Sequence, residues 1–301
     1  YFTTGRGSKT FQRTIDRSEA YRPMIERILA EEAVPPEIFH VAQAESGFRP
    51  LAISRARATG MWQFMRFTGR QYGLRQNRYV DERYDPEKAT RAAARHLKDL
   101  YIEFGDWYLA MAAYNGGPTR VARSVKKAGS DYWTLCRRRL LRRETRNYVP
   151  IILAMTYVAK NPWLRESVEP NPAPPLRYDT TTTDNEIHLN LIADMTGATT
   201  EKLRELNPAL RRSATPPHRY DLRLPEGAAR TFESEIAHIP QEKRLAWRRH
   251  QVKEKETLSA IAKRYRIKPS QIAELNQLDG GKLDRGSFLT IPSGAQKLKY
   301  Y

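Results

Sequence analysis

Residues 34–48 read Val-Pro-Pro-Glu-Ile-Phe-His-Val-Ala-Gln-Ala-Glu-Ser-Gly-Phe, and this stretch indicates both the start and the end of a helix. The two prolines ahead of Glu37 are typical of a helix start, because proline is tolerated in the first turn. An apolar run over Ile38–Ala44 then leads into Glu45-Ser46-Gly47. The stretch therefore predicts an apolar helix with a carboxylate at its end, just before a glycine.

Helical patterns extend outward from this stretch over residues 18–159. In Arg91–Phe104 the apolar side chains recur at three- and four-residue spacing, as on one face of a helix. The helix Trp107–Tyr114 meets a clear stop at Gly116-Gly117-Pro118. The segment Tyr148–Lys160 is apolar on most sides and predicts a buried helix. We therefore expect a mainly α domain.

Composition narrows the class of protein. Of the 301 residues, 40% are hydrophobic and 29% are charged, which excludes a wholly disordered chain. The longest apolar stretch, Tyr148–Ala159, is shorter than the roughly 20 residues that a membrane-spanning helix needs. A single cysteine, Cys136, excludes an internal disulfide framework and a cysteine-rich metal site.

The charge balance predicts a polyanionic partner. The formal net charge is +18, and residues 1–170 alone carry 30 basic and 18 acidic side chains. Such a field attracts nucleic acid, anionic lipid or a carboxylate-rich polymer. Nucleic acid is not the expected partner, because the basic residues are spread along helices and no known nucleic-acid-binding motif occurs.

Residues 169–175 separate the helical part from the rest of the chain. They contain four prolines and predict a stiff linker over 169–177. Beyond it, 178–230 and 250–292 share a faint repeat of helix, turn, helix, Leu-Asn and a final strand, and a charged helix over 231–249 should connect them. The predicted organisation is a helical domain over 1–168 followed by two small α+β modules of βααβ type.

Few residues could carry chemistry. None of the six histidines has helical metal-ligand spacing, and the chain has neither a glycine-rich phosphate loop nor a Gly-x-Ser-x-Gly elbow. The remaining candidate for a catalytic residue is Glu45, which is an isolated carboxylate. Seven arginines and no acidic residue lie between it and Asp81. A lone glutamate among aromatic, methionine and glutamine residues suits general acid catalysis on a sugar. A surface ion pair at a helix end is the alternative.

A second candidate is the cluster Ala112–Gly117. Its small residues allow close helix approach, and Tyr114-Asn115 lead into a turn. An ordinary helix end, capped by asparagine and glycine, is the alternative for this cluster.

Seven motifs occur in order along residues 20–160 and carry a resemblance. They are AESGF (44–48), GMWQFM (60–65), YGL (72–74), VDERYDP (80–86), FGDW (104–107), AAYNGG (112–117) and ETRNYVP (144–150). This part of the chain resembles the lytic transglycosylases of the lysozyme-like superfamily, of the membrane-bound lytic murein transglycosylase D type. Residues 250–292 resemble a LysM module, a peptidoglycan- and chitin-binding unit, and residues 178–225 resemble a degenerate LysM-like segment.

The resemblance implies a role for particular residues. Glu45 matches the catalytic acid. The residues that it implies for substrate binding are Ser54, Met61, Gln63, Met65, Tyr114, Asn115, Glu144 and Tyr148. Those that it implies for glycan binding by the LysM module are Glu256, Thr257, Leu258, Ile261, Asn276 and Leu278. It implies neither a cofactor nor a metal.

The implied reaction uses one carboxylate. Glu45 would protonate the oxygen between N-acetylmuramic acid and N-acetylglucosamine and then accept the proton of the muramic C6 hydroxyl, which closes onto C1 to leave a 1,6-anhydro sugar. A general acid near pH 7 needs a raised pKa, whereas neighbouring arginines would lower it. We therefore expect apolar and aromatic residues to desolvate Glu45 and the guanidiniums to lie further off.

Some positions depart from the family pattern. Arg55 and Arg57 stand where proline and glycine are usual, and Arg66 replaces a proline. A lost glycine costs about 1 kcal/mol if φ is positive there. In the LysM module, Lys255-Glu256 replaces the usual Gly-Asp. These changes predict a more cationic cleft rim and leave the sugar affinity of the module open.

The sequence leaves three hypotheses about function open. The first is a peptidoglycan lytic transglycosylase of the bacterial periplasm or cell envelope, anchored by lipid through a segment outside this chain. The others are a peptidoglycan-binding protein with reduced activity and a hydrolytic muramidase on the same scaffold. The expected partners are glycan strands with their stem peptides, together with an anionic membrane surface.

Overall fold

A computed structural model describes residues 2–164, 170–239, 244, 247–276, 278 and 283–292. The chain forms two compact units. The first runs to Gln76 and resumes over Asp81–Leu176, and the second comprises Asn77–Val80 and the residues from Arg177 onward. No helix of the described residues is long and apolar enough to cross a membrane.

The first unit is mainly helical, as predicted. Single 3₁₀ turns lie at Pro36–Ile38, Glu82–Tyr84 and Pro162–Leu164. Its α-helices are α1 (Gly5–Ser18), α2 (Arg22–Glu31), α3 (Phe39–Ser46), α4 (Arg66–Gln71), α5 (Pro86–Phe104), α6 (Trp107–Gly116), α7 (Pro118–Ala128), α8 (Tyr132–Arg137) and α9 (Arg143–Lys160).

Helix α6 lies in the core of this unit, packed against α5 and α9. Its Ala110, Ala112 and Ala113 are fully buried, and their short side chains allow neighbouring helices to approach closely. At the end of α6, a Cβ added to Gly116 would lie 2.8 Å from the hydroxyl oxygen of Thr145. The glycine therefore lets the end of α6 meet the start of α9.

A small looped structure follows α3. Isolated bridges pair Ile53 with Thr59 and Thr59 with Phe64. Between them, Arg57 has a φ of 62°, in the left-handed region that favours glycine. Arg57 therefore has the positive φ at which replacement of the family's usual glycine destabilises the fold.

We expect Arg57→Gly to raise the free energy of unfolding by about 1 kcal/mol, because glycine adopts this φ without a Cβ clash. Urea unfolding followed by circular dichroism measures the change. Arg55→Gly is the matched control, since Arg55 is exposed in the same loop and has no positive φ. Equal stability of the two variants would contradict the strain at Arg57.

The second unit contains two βααβ modules, which confirms the predicted fold class. In the first module, β1 (Tyr178–Thr183) pairs antiparallel with β2 (Tyr220–Pro225), with Tyr178 opposite Pro225. Helices α10 (Leu189–Thr196) and α11 (Thr200–Leu206) lie between the strands in the chain. The asparagine of the repeated Leu-Asn pair, Asn207, is buried and donates from Nδ2 to the Arg223 carbonyl oxygen at 2.7 Å. That bond joins the end of α11 to β2.

The second module has the same order of elements. Strand β3 (Trp247–Gln251) pairs antiparallel with β4 (Phe288–Pro292), and α13 (Leu258–Tyr265) and α14 (Pro269–Leu275) lie between them in the chain. Its hydrophobic core is separate from that of the first module. The buried core residues are Val252, Ile261, Ala262, Ile272, Leu289 and Ile291.

Two predicted helices differ from the structure. In place of one helix over 231–249, α12 spans Ala229–Ala237 and residues 247–251 form β3, while 240–243, 245 and 246 lie outside the described residues. Strand pairing with a distant segment decides β3, so local charge patterns cannot reveal it. The predicted buried helix Tyr148–Lys160 begins earlier, at Arg143, and is not buried throughout, because Ile151 and Tyr157 are exposed.

The proline-rich segment is hydrogen-bonded to the first unit. The Ala173 N–H donates to the Asp16 carbonyl oxygen at 2.9 Å, and the Leu176 N–H donates to that of Ala20 at 3.1 Å. These bonds hold the segment next to the end of α1. The predicted domain end at residue 168 and linker start at residue 169 lie outside the described residues.

Candidate active site

Glu45 lies in the last turn of α3, which ends at Gly47 with a φ of 61°. The left-handed glycine ends the helix directly after the acid and turns the chain away. The Tyr148 hydroxyl of α9 donates to Glu45 Oε1 at 2.6 Å. A side chain 103 residues away in sequence therefore orients the carboxyl group.

Burial raises the pKa of Glu45 to about 7. That value includes two smaller effects: the hydrogen bond from Tyr148 lowers the pKa, because it favours the carboxylate, and the charge of Glu144 raises it. A carboxylic acid with this pKa is substantially protonated at neutral pH, as a general acid must be.

Two of the seven arginines between Glu45 and Asp81 bond to groups other than Glu45. Arg49 Nε donates to the Ser46 carbonyl oxygen at 2.9 Å, and Arg75 forms an ion pair with Glu82 at 2.8 Å. Among the described residues, no ion pair includes Glu45. The raised pKa is therefore compatible with seven nearby arginines in the sequence.

Two tyrosines surround the acid. The Tyr114 hydroxyl donates to the Trp62 carbonyl oxygen at 2.8 Å, which joins the end of α6 to the loop before α4. Burial, followed by the charge of Glu45, raises the pKa of both Tyr114 and Tyr148 well above 10. Both phenols are therefore neutral donors over the physiological pH range.

Asn115 lies beside the start of α9. The Thr145 hydroxyl donates to Asn115 Oδ1 at 2.9 Å, which fixes the amide orientation. In the described part of the chain, Asn115 Nδ2 has no hydrogen-bond partner. The amide is half-buried and can offer its two N–H groups to a ligand.

The loop after α3 contains the other predicted residues. Gln63 has a φ of 51°, and its Nε2 donates to the Gly60 carbonyl oxygen at 2.8 Å. Ser54 Oγ accepts from the Ala58 N–H at 3.0 Å, and the Met65 side chain is 48% exposed. Met61 is only 1% exposed and belongs to the core. A direct contact of the Met61 side chain with substrate would require the core to open.

Some roles at the site have no local signal in the sequence. Tyr148 was implied as a substrate-binding residue, but its role as the donor to Glu45 could not be predicted from neighbouring residues. Ser46, which had no predicted catalytic role, donates to the Met61 carbonyl oxygen at 2.8 Å. Thr145 and the charge of Glu144 belong to the motif ETRNYVP, whose position in the resemblance is the signal that could have indicated them.

The predicted glycan-binding residues of the LysM module make internal contacts. Ile261 is fully buried, Leu258 and Leu278 pack against the same core, and Thr257 caps α13 by accepting from the Ala260 N–H at 3.2 Å. Asn276 Nδ2 donates to the Ile272 carbonyl oxygen at 2.8 Å. These contacts show that the residues matching the LysM pattern stabilise the fold of the module. Sugar binding by the same residues stays a prediction.

Glu256 also faces inward. Its Oε2 lies 2.9 Å from His250 Nε2 and accepts from the Lys253 N–H at 2.9 Å. These contacts lower the pKa of Glu256, the backbone hydrogen bond having the larger effect. The described residues contain no group of three His, Cys, Asp or Glu side chains that could hold a metal ion.

Three family models match the chain. The one described as "Transglycosylase SLT domain" matches residues 22–133, "Lytic transglycosylase MltD, LysM-like domain" matches 177–241, and "LysM domain" matches 250–292. The three matches follow one another along the chain in the order of the predicted modules.

Curated relatives carry related descriptions. The membrane-bound lytic murein transglycosylase D of Escherichia coli K12 is 33% identical over 303 residues, covering 94% of this chain and 66% of the relative. This chain thus spans just under two thirds of that protein. The peptidoglycan transglycosylase gp16 of Escherichia phage T7 is 37% identical over 126 residues, which are 40% of this chain and 9% of the relative.

Solved structures with partial similarity include lytic transglycosylase Slt from Pseudomonas aeruginosa, as an inactive mutant. It is 27% identical, with a TM-score of 0.41, and covers 52% of this chain and 25% of its own. The 70 kDa soluble lytic transglycosylase of Escherichia coli is 25% identical, with a TM-score of 0.40, covering 49% of this chain and 26% of its own.

Proposed function

The chain belongs to the lytic transglycosylases of the membrane-bound murein transglycosylase D type, and on that premise we propose that it cleaves peptidoglycan without consuming water. The bond cleaved lies between N-acetylmuramic acid and N-acetylglucosamine. The observation that carries the proposal is Glu45, a desolvated carboxyl group with a pKa of about 7 at the end of α3.

Glu45 acts twice in this reaction. As an acid it protonates the glycosidic oxygen, and the C1–O bond breaks with oxocarbenium character at C1, helped by the substrate's N-acetyl group. As a carboxylate it then takes the proton of the muramic C6 hydroxyl, whose oxygen bonds to C1. The second step is intramolecular, so a high effective molarity replaces the second carboxylate and bound water of a hydrolase.

Tyr148 supports both protonation states of Glu45. Its hydroxyl, 2.6 Å from Oε1, orients the acid and stabilises the carboxylate formed in the first step. Asn115, with its amide fixed by Thr145, is proposed to bind a sugar substituent. The same role is proposed for Ser54, Gln63, Met65 and Tyr114, and Glu144 is proposed to contact the stem peptide. Met61 would act by packing beneath the site.

Mass spectrometry of digested sacculi tests the proposal. The transglycosylase product ends in 1,6-anhydro-muramic acid and is lighter by one water than the product of hydrolysis. A hydrolytic product would instead identify a muramidase, in which Glu144 would be the first candidate for the second carboxylate. Retention on sacculi without any cleavage would identify a binding protein.

We further propose a location in the bacterial periplasm or cell envelope. The supporting observations are the peptidoglycan substrate and the description of the E. coli relative as membrane-bound. Lipid anchoring through a segment outside this chain stays a proposal, as does contact with an anionic membrane surface.

An arginine-rich stretch before α9 is proposed to attract the stem peptides. Arg138, Arg139, Arg142 and Arg143 are exposed, and none of them forms an ion pair with another described residue. Arg137 is paired only loosely, with 3.7 Å between its Nη2 and Asp131 Oδ2. The stretch leads directly into Glu144, so carboxylates of a peptide bound there would lie in a strongly positive field.

Binding of peptide-bearing glycan should therefore weaken steeply with ionic strength, because exposed charges are screened over about 8 Å at physiological salt. Glycan stripped of its peptides should respond little. Calorimetry with a Glu45→Gln variant measures both affinities without turnover. Identical salt slopes for the two ligands would exclude the stem peptide as the partner of these arginines.

The C-terminal module is proposed to bind glycan independently of the catalytic unit. Because its core is separate, removal of residues 247–301 should reduce retention on insoluble peptidoglycan while cleavage of short soluble muropeptides persists. Removal from 247 takes both strands of the β3–β4 pair together. Pull-down and turnover assays measure the two properties. Equal loss of both would make the module part of the catalytic machinery.

A further inference from the structure

Helix α1 lies outside the matched transglycosylase region, which begins at residue 22, yet it contacts the helix that carries Glu45. Two side chains of α1 form hydrogen bonds with this part of the chain. Thr14 Oγ1 accepts a hydrogen bond from Gln43 Nε2 at 2.7 Å, and Arg17 Nη1 donates to the Gly47 carbonyl oxygen. Gln43 and Gly47 stand two residues on either side of Glu45, so α1 holds the chain both before and after the acid.

The Arg17 side chain provides a hydrogen-bond donor for the backbone carbonyl group of Gly47. Gly47 follows α3 in the left-handed conformation, so its carbonyl oxygen lies outside the hydrogen-bond ladder of this eight-residue helix. Gly47 donates its N–H to the Gln43 carbonyl oxygen at 2.9 Å, and its own carbonyl oxygen accepts from Arg17. A hydrogen bond from a charged donor is stronger than one between neutral groups.

The space around Gly47 shows how closely α1 approaches. A Cβ added to Gly47 would lie 2.9 Å from Thr14 Cγ2, so even a methyl group would force the Thr14 side chain to shift. The chain of contacts continues inward, because Gln43 Oε1 lies 2.7 Å from Nδ1 of the buried His40. Gln43 is thus held from both sides, which leaves the last turn of α3 little freedom.

We propose that Arg17, assisted by Thr14, is a positioning residue that holds the last turn of α3 so that the Glu45 carboxyl group stays in place under Tyr148. The proposal rests on the proposed function of Glu45 as the catalytic acid. Arg17 does not touch the carboxylate. Its guanidinium donates to the Gly47 carbonyl oxygen, so a cation orients the turn without forming an ion pair with Glu45.

Other charged and titratable groups near Glu45 come from different elements. Tyr148 and Glu144 belong to α9, and Tyr114 belongs to α6. None of these would be altered by a change in α1. A loosened turn would therefore register as greater hydration of Glu45 and a weaker contact with Tyr148, which together change its titration.

The experiment compares Arg17→Ala, Arg17→Lys and Arg13→Ala in the full chain. Arg13 is exposed on the same helix and serves as the control. We expect Arg17→Ala to lower kcat about tenfold with little change in KM, since displacement of a catalytic group by a fraction of an ångström is costly. Arg17→Lys retains a cationic donor and should restore most of the rate, and Arg13→Ala should match the parent.

The titration of Glu45 is the readout that a merely structural role would not move. A weaker hydrogen bond from Tyr148 would by itself raise the Glu45 pKa, but burial is the largest cause of its elevation, so the gain in hydration should dominate. Carbon-13 NMR of the labelled carboxyl group should therefore show the Glu45 pKa falling by about half a unit or more in Arg17→Ala. This measurement needs no turnover, so it tests the positioning role even if the parent proves not to cleave glycan. A parent protein that does not cleave glycan would overturn the proposed function, and the positioning role of Arg17 would still be tested by the Glu45 pKa.

Two results would overturn the proposal. One is a folded Arg17→Ala variant with the parent's kcat and the parent's Glu45 pKa. The other is an equal loss in Arg13→Ala, which would indicate a general effect of α1 charge. If Arg17→Ala does not fold, Thr14→Val removes the acceptor of Gln43 at nearly constant volume. An unchanged Glu45 pKa in Thr14→Val compared with the parent would then also overturn the proposal.

Discussion

Glu45→Gln should abolish cleavage of peptidoglycan while binding persists. The amide cannot transfer a proton to the leaving oxygen, and general acid catalysis contributes about 10²–10⁴ in rate. Because the same group also acts as the base that deprotonates the C6 hydroxyl, the loss should lie at the upper end of that range. Release of anhydro-muropeptides from purified sacculi measures it.

The matched control is Glu37→Gln, since Glu37 lies just before α3 and is paired with Lys160 on the surface. That variant should cleave like the parent. A rate for Glu45→Gln above a tenth of the parent's would exclude a single-acid mechanism.

The fold of the Glu45→Gln variant should be intact and at least as stable as the parent above neutral pH. The folded-state pKa of about 7 lies above the ordinary glutamate value of 4.5, so the folded state binds the extra proton. Stability from this group is fully present below about pH 4.5 and is lost as the pH rises through about 7, at a cost of at most about 3 kcal/mol. Urea unfolding at pH 5 and pH 8 should show a much larger gain in stability of the variant over the parent at the higher pH.

Tyr148→Phe should reduce kcat about ten- to a hundredfold and shift the pH profile. A hydrogen bond to a carboxylate contributes about 1.5–3 kcal/mol, and each 1.4 kcal/mol is about tenfold in rate. In the parent, activity should be present below the pKa of Glu45 and fall as the pH rises through about 7. The lost hydrogen bond raises that pKa, so the alkaline limb should move to higher pH while the maximum rate falls.

The profile of kcat/KM between pH 5 and 9 checks this prediction. Tyr157→Phe is the control, because Tyr157 is an exposed tyrosine on the same helix. An alkaline limb that stays in place or moves to lower pH in Tyr148→Phe would contradict the assigned direction of the hydrogen bond. Such a result would also weaken the case for Tyr148 as the group that stabilises the carboxylate.

Local sequence patterns predicted those parts of the fold that depend on interactions between neighbouring residues. The end of α6 follows from Gly116-Gly117-Pro118, and the start of α3 follows the proline pair before Glu37. The two βααβ modules follow from their helix patterns and Leu-Asn pairs. Glu45 emerged because no other acidic residue lies between it and Asp81, a property that composition along the chain displays directly.

The tertiary structure alone decided how those residues act. The donor to Glu45 is Tyr148, 103 residues away, and the supports of its turn come from α1. Met61 lies in the core and Glu256 contacts His250, and neither location could be predicted from neighbouring residues. The physical reason is the range of the interactions. Helix ends and turns depend on neighbouring residues, whereas desolvation and hydrogen-bond partners depend on which distant segments pack around a group.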